Sequence, residues 1–577
     1  MLSWRGPAAV FTIGLLLMMC IPTSCLPTAR AAGNETLPSE GPYHVIEVPD
    51  SVGGGFEPHI LAAPGVDGNE WIYIDSPTGL GSRQSGNLYI SKDHGDTWTP
   101  NMKGVVVSSA LGSGDSYTAV TNDGTIYYTD LWLFTATVDT SNDGGKTWVK
   151  NPQASVTPID DRQWLGLGPA IGGSPLKQPQ SLYFTYNQIP LGLFMMKSQI
   201  TKWGWFWRPC NNYLPLTTTV AARDNFAIDQ HDGTIYMPNT EGNDIAMYTS
   251  TNGCASFTKT KVTTTDQDHR NIFVVSAVDD GGNIYVVWST QANVSIARST
   301  DKGASWKVFP ITKTNGTRVL PWITAGDAGH IGISYYETNA SGKTSEEYDT
   351  NVSWGVMAVV SNDALSEVPN FTYQPVINYT HSGAIRVGGT SGNSDRDLGD
   401  YLSDHVDQYG RHIITFGNDG NDGVGKYNAK VMFARQRDGP FLKNGTGPMA
   451  RMRLELDGMS LYADGSASFD MNGKGLSTFE WFWGDGTNDS GKDPVTEHKY
   501  KKAGTYTVSL RVTSMLDMRN TTYQVVVIKR PSTIVVSPGL ALVAIIIIIA
   551  VIMTYLFRKK IKGLFGRKDF LKKKVAQ

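Results

Sequence analysis

Arginines and carboxylates recur at one position of this chain, just ahead of the apolar segment that begins six of seven similar units. These positions hold Glu57 and His59, Asp161 and Arg162, Arg223 and Asp224, His269 and Arg270, Arg318, and Arg396 and Asp397. A guanidinium is a planar fork that fits carboxylate or phosphate oxygens. Arg162, Arg223, Arg270 and Arg396, together with Glu57, are therefore candidate ligand-binding residues. A carboxyl beside such a fork can pass a proton to a leaving group, which makes Asp161 and Asp397 the candidate catalytic acids of a glycoside hydrolase. The same residues have a structural use: each arginine pairs with a carboxylate of a neighbouring unit and locks the assembly.

No zinc-spaced His/Cys cluster, phosphate-cradling glycine loop or Gly-x-Ser-x-Gly elbow accompanies them. No metal site and no cofactor are expected, except that Asn418-Asp-Gly-Asn-Asp422-Gly is a run that can bind calcium or simply turn.

The elements that must position these residues are short strands. First strands begin near residues 57, 108, 163, 224, 270, 320 and 398, and Tyr-rich second strands follow, such as Thr125-Ile-Tyr-Tyr128 and Asn283-Ile-Tyr-Val-Val-Trp288. Between third and fourth strands stands Ser91-Lys-Asp93-His-Gly95-Asp-Thr97-Trp98. It returns at Ser141–Trp148 and Ser299–Trp306, and in worn form at Ser250–Phe257. Asp93, Asp143 and Asp301 turn the corner by accepting backbone N–H groups, glycine supplies a positive φ, and the tryptophan returns to the core. Remnants are read at Trp203-Gly-Trp205 and Gln436-Arg-Asp438-Gly439. Seven four-stranded units of about fifty residues read as an all-β propeller, with six blades the alternative count. In a propeller blade the box turns lie on the face opposite the first-strand starts, so the box acids are structural and the mouth belongs to the arginines.

The repeats resemble the sialidase superfamily of Asp-box (BNR-repeat) proteins over about residues 45–445. That resemblance implies three arginines on a sugar carboxylate, a Tyr–Glu nucleophile pair and an aspartate acid/base. The chain departs from it: Phe56-Glu57-Pro58-His59 stands where the first-blade Arg-Ile-Pro motif belongs, no Tyr–Glu pair can be matched, and seven units replace six. Further on, Phe479-Glu-Trp481-Phe-Trp483-Gly-Asp485-Gly-Thr487 and His498-Lys-Tyr500-Lys-Lys-Ala-Gly504-Thr-Tyr506-Thr-Val508 resemble the PKD domain over about residues 450–530. This implies an immunoglobulin-like sandwich acting as a spacer.

Residues 1–32 read as a secretory signal, with an apolar run from Ala8 to Ile21 and Ala29-Arg30-Ala31 as cleavage site. The propeller is assigned to 43–445, a transmembrane helix to 533–557 and a basic cytoplasmic tail to 558–577, placing the rest outside the cell membrane. Between signal and tail the chain carries 39 basic and 52 acidic residues, which argues against nucleic acid as partner. Ten Asn-x-Ser/Thr sequons, nine of them beyond residue 290, suggest a glycoprotein surface. Cys210 and Cys254 remain after signal removal, either as a disulfide or as two buried thiols. Three functions are compatible: a surface propeller binding glycan or protein, an exo-acting sialidase-like hydrolase, or a structural envelope glycoprotein.

Overall fold

The computed structural model describes residues 41–51, 57–77, 86–100, 115–132, 135–151, 154–155, 160–169, 181–188, 191–201, 204–210, 225–265, 274–290, 292–311, 315–386, 398–420, 429–530 and 537–572. Arg223, Arg270, Arg396, Asp397, Asp422 and the signal lie outside the described residues.

Between Tyr43 and Gln436 run seven four-stranded antiparallel sheets. Their inner strands are His59–Pro64, Ser116–Val120, Asp160–Gly168, Ala227–Ile228, Val275–Val278, Thr317–Ala325 and Ser403–Val406. Successive inner strands pack on one another, and the last returns to the first, giving a seven-bladed propeller. The middle strands explain the apolar sequence: Ile284–Ser289 is buried at every position because each blade is covered on both faces by its neighbours. Blade two starts later than its sequence suggests. The apolar run near 108 falls outside the described residues, and the strand that pairs with Ile126–Trp132 is Ser116–Val120.

Six blades are simple meanders. The seventh borrows its outer strand from the start of the chain: Tyr43–Glu47 pairs antiparallel with Lys430–Gln436, from Tyr43 opposite Gln436 to Glu47 opposite Met432. The ring therefore closes by backbone hydrogen bonds. Beneath this seam the Tyr43 hydroxyl meets His412 Nδ1 at 2.9 Å, and Asp404 accepts from Ser334 Oγ at 2.7 Å.

The boxes join third to fourth strands. In the first, Ser91 Oγ accepts from Gly95 N at 2.8 Å, Asp93 accepts from Thr97 N at 2.8 Å and Thr97 Oγ1 at 2.5 Å, and Trp98 Nε1 donates to Gly95 O at 3.1 Å. The Asp143 and Asp301 boxes repeat this set. Hydrogen bonds from Thr147 and Ser305 hold Asp143 and Asp301 down at about 2. Their stabilising charge is thus present above the unfolded-chain value of about 4 and is lost as pH falls toward 2. Blade six hides a fifth copy. Ser361 Oγ donates to Asp363 Oδ1 at 3.0 Å, while Asn370 N and Nδ2 donate to the same carboxylate at 2.8 and 2.6 Å. Six residues separate Asp363 from Asn370, so the spacing conceals it. The two proposed remnants are not boxes. In blade three the outer strands stay paired up to Thr201 opposite Gly204, with Trp203 outside the described residues, and Gln436 ends a third strand whose partner comes from the N-terminus.

Each box also reaches the preceding blade. Arg435 Nη1 of blade seven donates to His94 O at 3.2 Å and pairs with Asp96 at 2.6 Å. Thr260 of blade four donates to Gly303 O at 3.0 Å, and Arg298 of blade five donates to Ser366 O at 3.0 Å. In the worn box Cys254 takes the glycine position at φ +67° and forms a disulfide to Cys210 of blade three. The boxes share a face with the turns between first and second strands: the His94 ring packs on Tyr409, and Lys302 pairs with Asp232.

Residues beyond the propeller form two facing sheets, Asn488–Gly491, Leu476–Phe482, Gly504–Ser514 and Arg519–Ile528 in one, and Arg453–Asp457, Ser460–Asp464 and Val495–Lys499 in the other. Trp481, Trp483, Tyr500, Val508, Leu510 and Val512 fill the space between them. A helix, Pro538–Lys572, contains a stretch long and apolar enough to cross a membrane.

We expect Asp93→Ala to destabilise the propeller by about 1–2 kcal/mol, since the Thr97 N–H and the Thr97 and Ser91 hydroxyls lose their acceptor. Asp93→Asn should cost less, because Asn252 already fills this role, accepting from Ser256 N at 3.0 Å. Denaturant unfolding of the two variants checks the order.

Candidate functional site

The mouth formed by the first-strand starts is shaped by two bulges. In blade three Asp161 faces Asn187 and Trp164 faces Thr185, so three strand steps oppose two. Arg162, inside the bulge, is held at φ +52°, a conformation arginine rarely adopts. Blade six repeats the device: Val319 faces Tyr336, Trp322 faces Ser334, and Leu320 sits at φ +55°. The bulges aim Trp164 and Trp322 at each other across the ring, with centroids 5.9 Å apart. Tyr401 lies 5.5 Å from the first and 5.3 Å from the second, and Tyr117 packs on Trp164 at 5.2 Å. These rings, buried except for a half-buried Tyr117, form an aromatic floor.

Above the floor one guanidinium gathers carboxylates from several blades. Arg162 Nη2 meets Asp400 Oδ2 at 2.5 Å, and Nε lies 3.5 Å from Asp161 Oδ2. The Arg162 backbone N–H donates to Asp115 Oδ2 at 3.0 Å, and Glu57 Oε1 accepts from Asp400 N at 3.0 Å. Glu57, Arg162 and Asp400 are buried, whereas the Asp161 side chain is 36% exposed. Burial works against charge on Arg162, yet Asp400, Asp161, Asp115 and Glu57 hold it protonated more firmly than an ordinary arginine. Burial, then the Asp161 charge, push Asp115 up to about 6 against the pull of Arg162.

The structure thus brings together Glu57, Asp161 and Arg162 from the expected set. Asp115 and Asp400 were missed. Asp115 stands one residue before its strand, a position hidden by the misplaced start of blade two. Arg318 is elsewhere: it lies 3.5 Å from Glu337 of its own blade and donates to Ala292 O at 3.0 Å. His59, expected at the mouth, is buried, hydrogen-bonded to Asp75 at 2.9 Å and stacked on Tyr117. Among the described residues no cluster of three His, Cys, Asp or Glu has metal-holding geometry.

Comparison with known proteins gives one family. Residues 449–528 match the PKD domain. Within them the motif residues have clear tasks: Asp485 accepts from Thr487 N at 3.1 Å and contacts His498 at 2.9 Å, while the Tyr500 hydroxyl donates to Trp483 O at 2.9 Å. No curated protein matches the chain. Among solved structures, the PKD1 domain of Vibrio anguillarum Epp is 32% identical, covering 15% of this chain and all of that one, with a TM-score of 0.14. Phage phi92 endosialidase is 12% identical over 85% of this chain and 88% of its own, with a TM-score of 0.38. The NanB sialidase of Streptococcus pneumoniae is 11% identical over 70% and 71%, with a TM-score of 0.36. The propeller assignment stands on the seven closed sheets.

The buried cluster makes stability depend on pH. Asp115 keeps its proton up to about 6 when folded, against about 4 in the unfolded chain. The folded state binds more protons in that interval, so this group's contribution falls as pH rises through it. Asp115→Asn should therefore gain stability relative to the parent between pH 4 and 6 and hold the gain above. Arg162→Met should cost about 3–5 kcal/mol at pH 7.5, as a buried pair loses one partner, and less at pH 5. Denaturant titrations at both pH values test the two directions.

Proposed function

We propose that this chain is a membrane-anchored surface protein whose propeller binds glycan or protein partners at the mouth of the first-strand starts, with the PKD domain between propeller and membrane. The observation that carries this reading is the asymmetry of exposure in the cluster. Arg162 is enclosed by carboxylates, whereas Asp161 stands partly exposed at its lip. Asp161 therefore offers an acceptor to hydroxyl or cationic groups, which suits neutral or amino-bearing glycans and basic protein segments. The apolar helix and the signal-like leader support display outside the cell, and the acidic excess of that part disfavours nucleic acid.

The soluble part, residues 33–530, should retain neutral glycans or basic peptides from an immobilised panel. Asp161→Asn should weaken that binding roughly tenfold, the worth of one charge-assisted hydrogen bond. Binding of sialosides alone, unaffected by Asp161→Asn, would reject the site.

A second reading, hydrolysis of exterior glycans, is favoured by one feature: Asp115, pushed up to about 6, lies with Asp161 around Arg162. A carboxyl raised toward neutrality beside a second carboxyl is the pairing that acid-assisted glycoside cleavage uses. Fluorogenic glycosides, sialosides included, should then be cleaved by the parent and not by Asp115→Asn or Asp161→Asn. Absence of release from the whole panel removes this reading and leaves the binding one intact.

A further inference from the structure

Blade seven is the blade at which a box is topologically impossible, because its third strand, Lys430–Gln436, is not followed by its own fourth strand. The chain instead leaves at Arg437 toward the PKD domain, and a loop of that domain comes back to the vacant corner. Arg519 N donates to Arg437 O at 2.6 Å, and Asp438 and Arg519 form a parallel bridge. Arg437 donates to Asp517 Oδ1 through Nε at 3.0 Å and Nη2 at 2.7 Å. Arg411, in the first-to-second-strand turn of blade seven, donates to Leu516 O at 3.0 Å.

The returning loop shares the serine-centred half of the box geometry, with Leu516 standing where a box has its aspartate. In the first box Ser91 Oγ accepts from Asp93 N at 3.4 Å and Gly95 N at 2.8 Å, and His94 sits at φ +61°. In the loop Ser514 Oγ accepts from Leu516 N and Met518 N, both at 3.2 Å, and Asp517 sits at φ +62°. The offsets of two and four residues and the left-handed residue between them are the same. The loop also touches the strands that close the ring. Asp517 Oδ2 lies 3.9 Å from both Arg435 of the third strand and His44 of the N-terminal strand, while Arg437 N donates to Pro42 O at 2.7 Å.

We propose that PKD loop 514–519 is a surrogate box for blade seven, a clamp that holds the N-terminal strand in the propeller seam. The PKD domain is then a part of ring closure as well as a spacer. Residues 43–47 stay paired because Asp517 fixes the Arg437 and Arg435 side chains beside them.

Hydrogen exchange of the soluble part, residues 33–530, tests this. Asp517→Ala and Arg437→Ala should each raise exchange of the Tyr43–Glu47 amides at least roughly tenfold, with protection of inner strand Val275–Val278 unchanged. The double variant should add little, since both remove one interaction. Asp517→Asn, which keeps an acceptor without the charge, should fall between parent and Asp517→Ala and serves if the alanine variant does not fold. Asp457→Ala, at an exposed PKD position away from the loop, should leave the seam unchanged. Faster exchange confined to residues 504–528, with Tyr43–Glu47 as protected as in the parent, would overturn the clamp.

Discussion

The pairing of Tyr43–Glu47 with Lys430–Gln436 is the interaction on which the rest depends. A ring of seven sheets has one joint where the chain cannot pass directly from blade to blade. If that joint opens, blade seven exposes the edge of Lys430–Gln436, and the inner strands no longer need to stay in register around the axis. Everything at the mouth is assembled from several blades: Glu57 from the first, Asp115 from the second, Arg162 from the third, Asp400 from the seventh. Their geometry survives only while the seam does.

The cost of that mouth is a buried guanidinium in a crowd of carboxylates. Burying one ion pair is rarely favourable by itself, since desolvation offsets the attraction. Here Arg162 of blade three reaches Asp400 of blade seven, past blades one and two. Such a pair specifies which strands meet at the centre, because any slip of register would strand the charge. The positive φ of Arg162 belongs to the same arrangement. Strain at one residue sets the bulge that turns Trp164 inward to meet Trp322, so floor and cluster are fixed together.

Much of the scaffold was legible in the sequence because it is written locally. A box holds its turn with its own serine, aspartate and threonine, so Asp93, Asp143 and Asp301 could be read as corner-makers and placed away from the mouth. The PKD motif is local in the same sense. What escaped was set by distance along the chain. Nothing in Tyr43-His-Val-Ile-Glu47 says that its partner lies near residue 433. Asp400 gained its role from Arg162, more than two hundred residues away. The Asp363 box was hidden by a longer loop, although its hydrogen bonds are those of the others. Arg318 looks equivalent to Arg162 in sequence because both stand beside the apolar run of a first strand, but a carboxylate of its own blade claims it.

Boxes and seam solve one problem at two ranges. A blade is held to its predecessor by hydrogen bonds between middle-blade side chains and the box loop, as Arg435 holds His94 and Asp96 or Arg298 holds Ser366. That device needs a third-to-fourth-strand turn, and a ring closed by an N-terminal strand must lack one turn. The deficit falls at the joint where the outer strand, Tyr43–Glu47, has no direct chain connection to the strand it pairs with. A second domain continuing directly from that blade is the nearest source of a replacement loop. The PKD domain follows directly on the third strand of blade seven, so its place in the chain puts its loop 514–519 within reach of the joint where the ring closes.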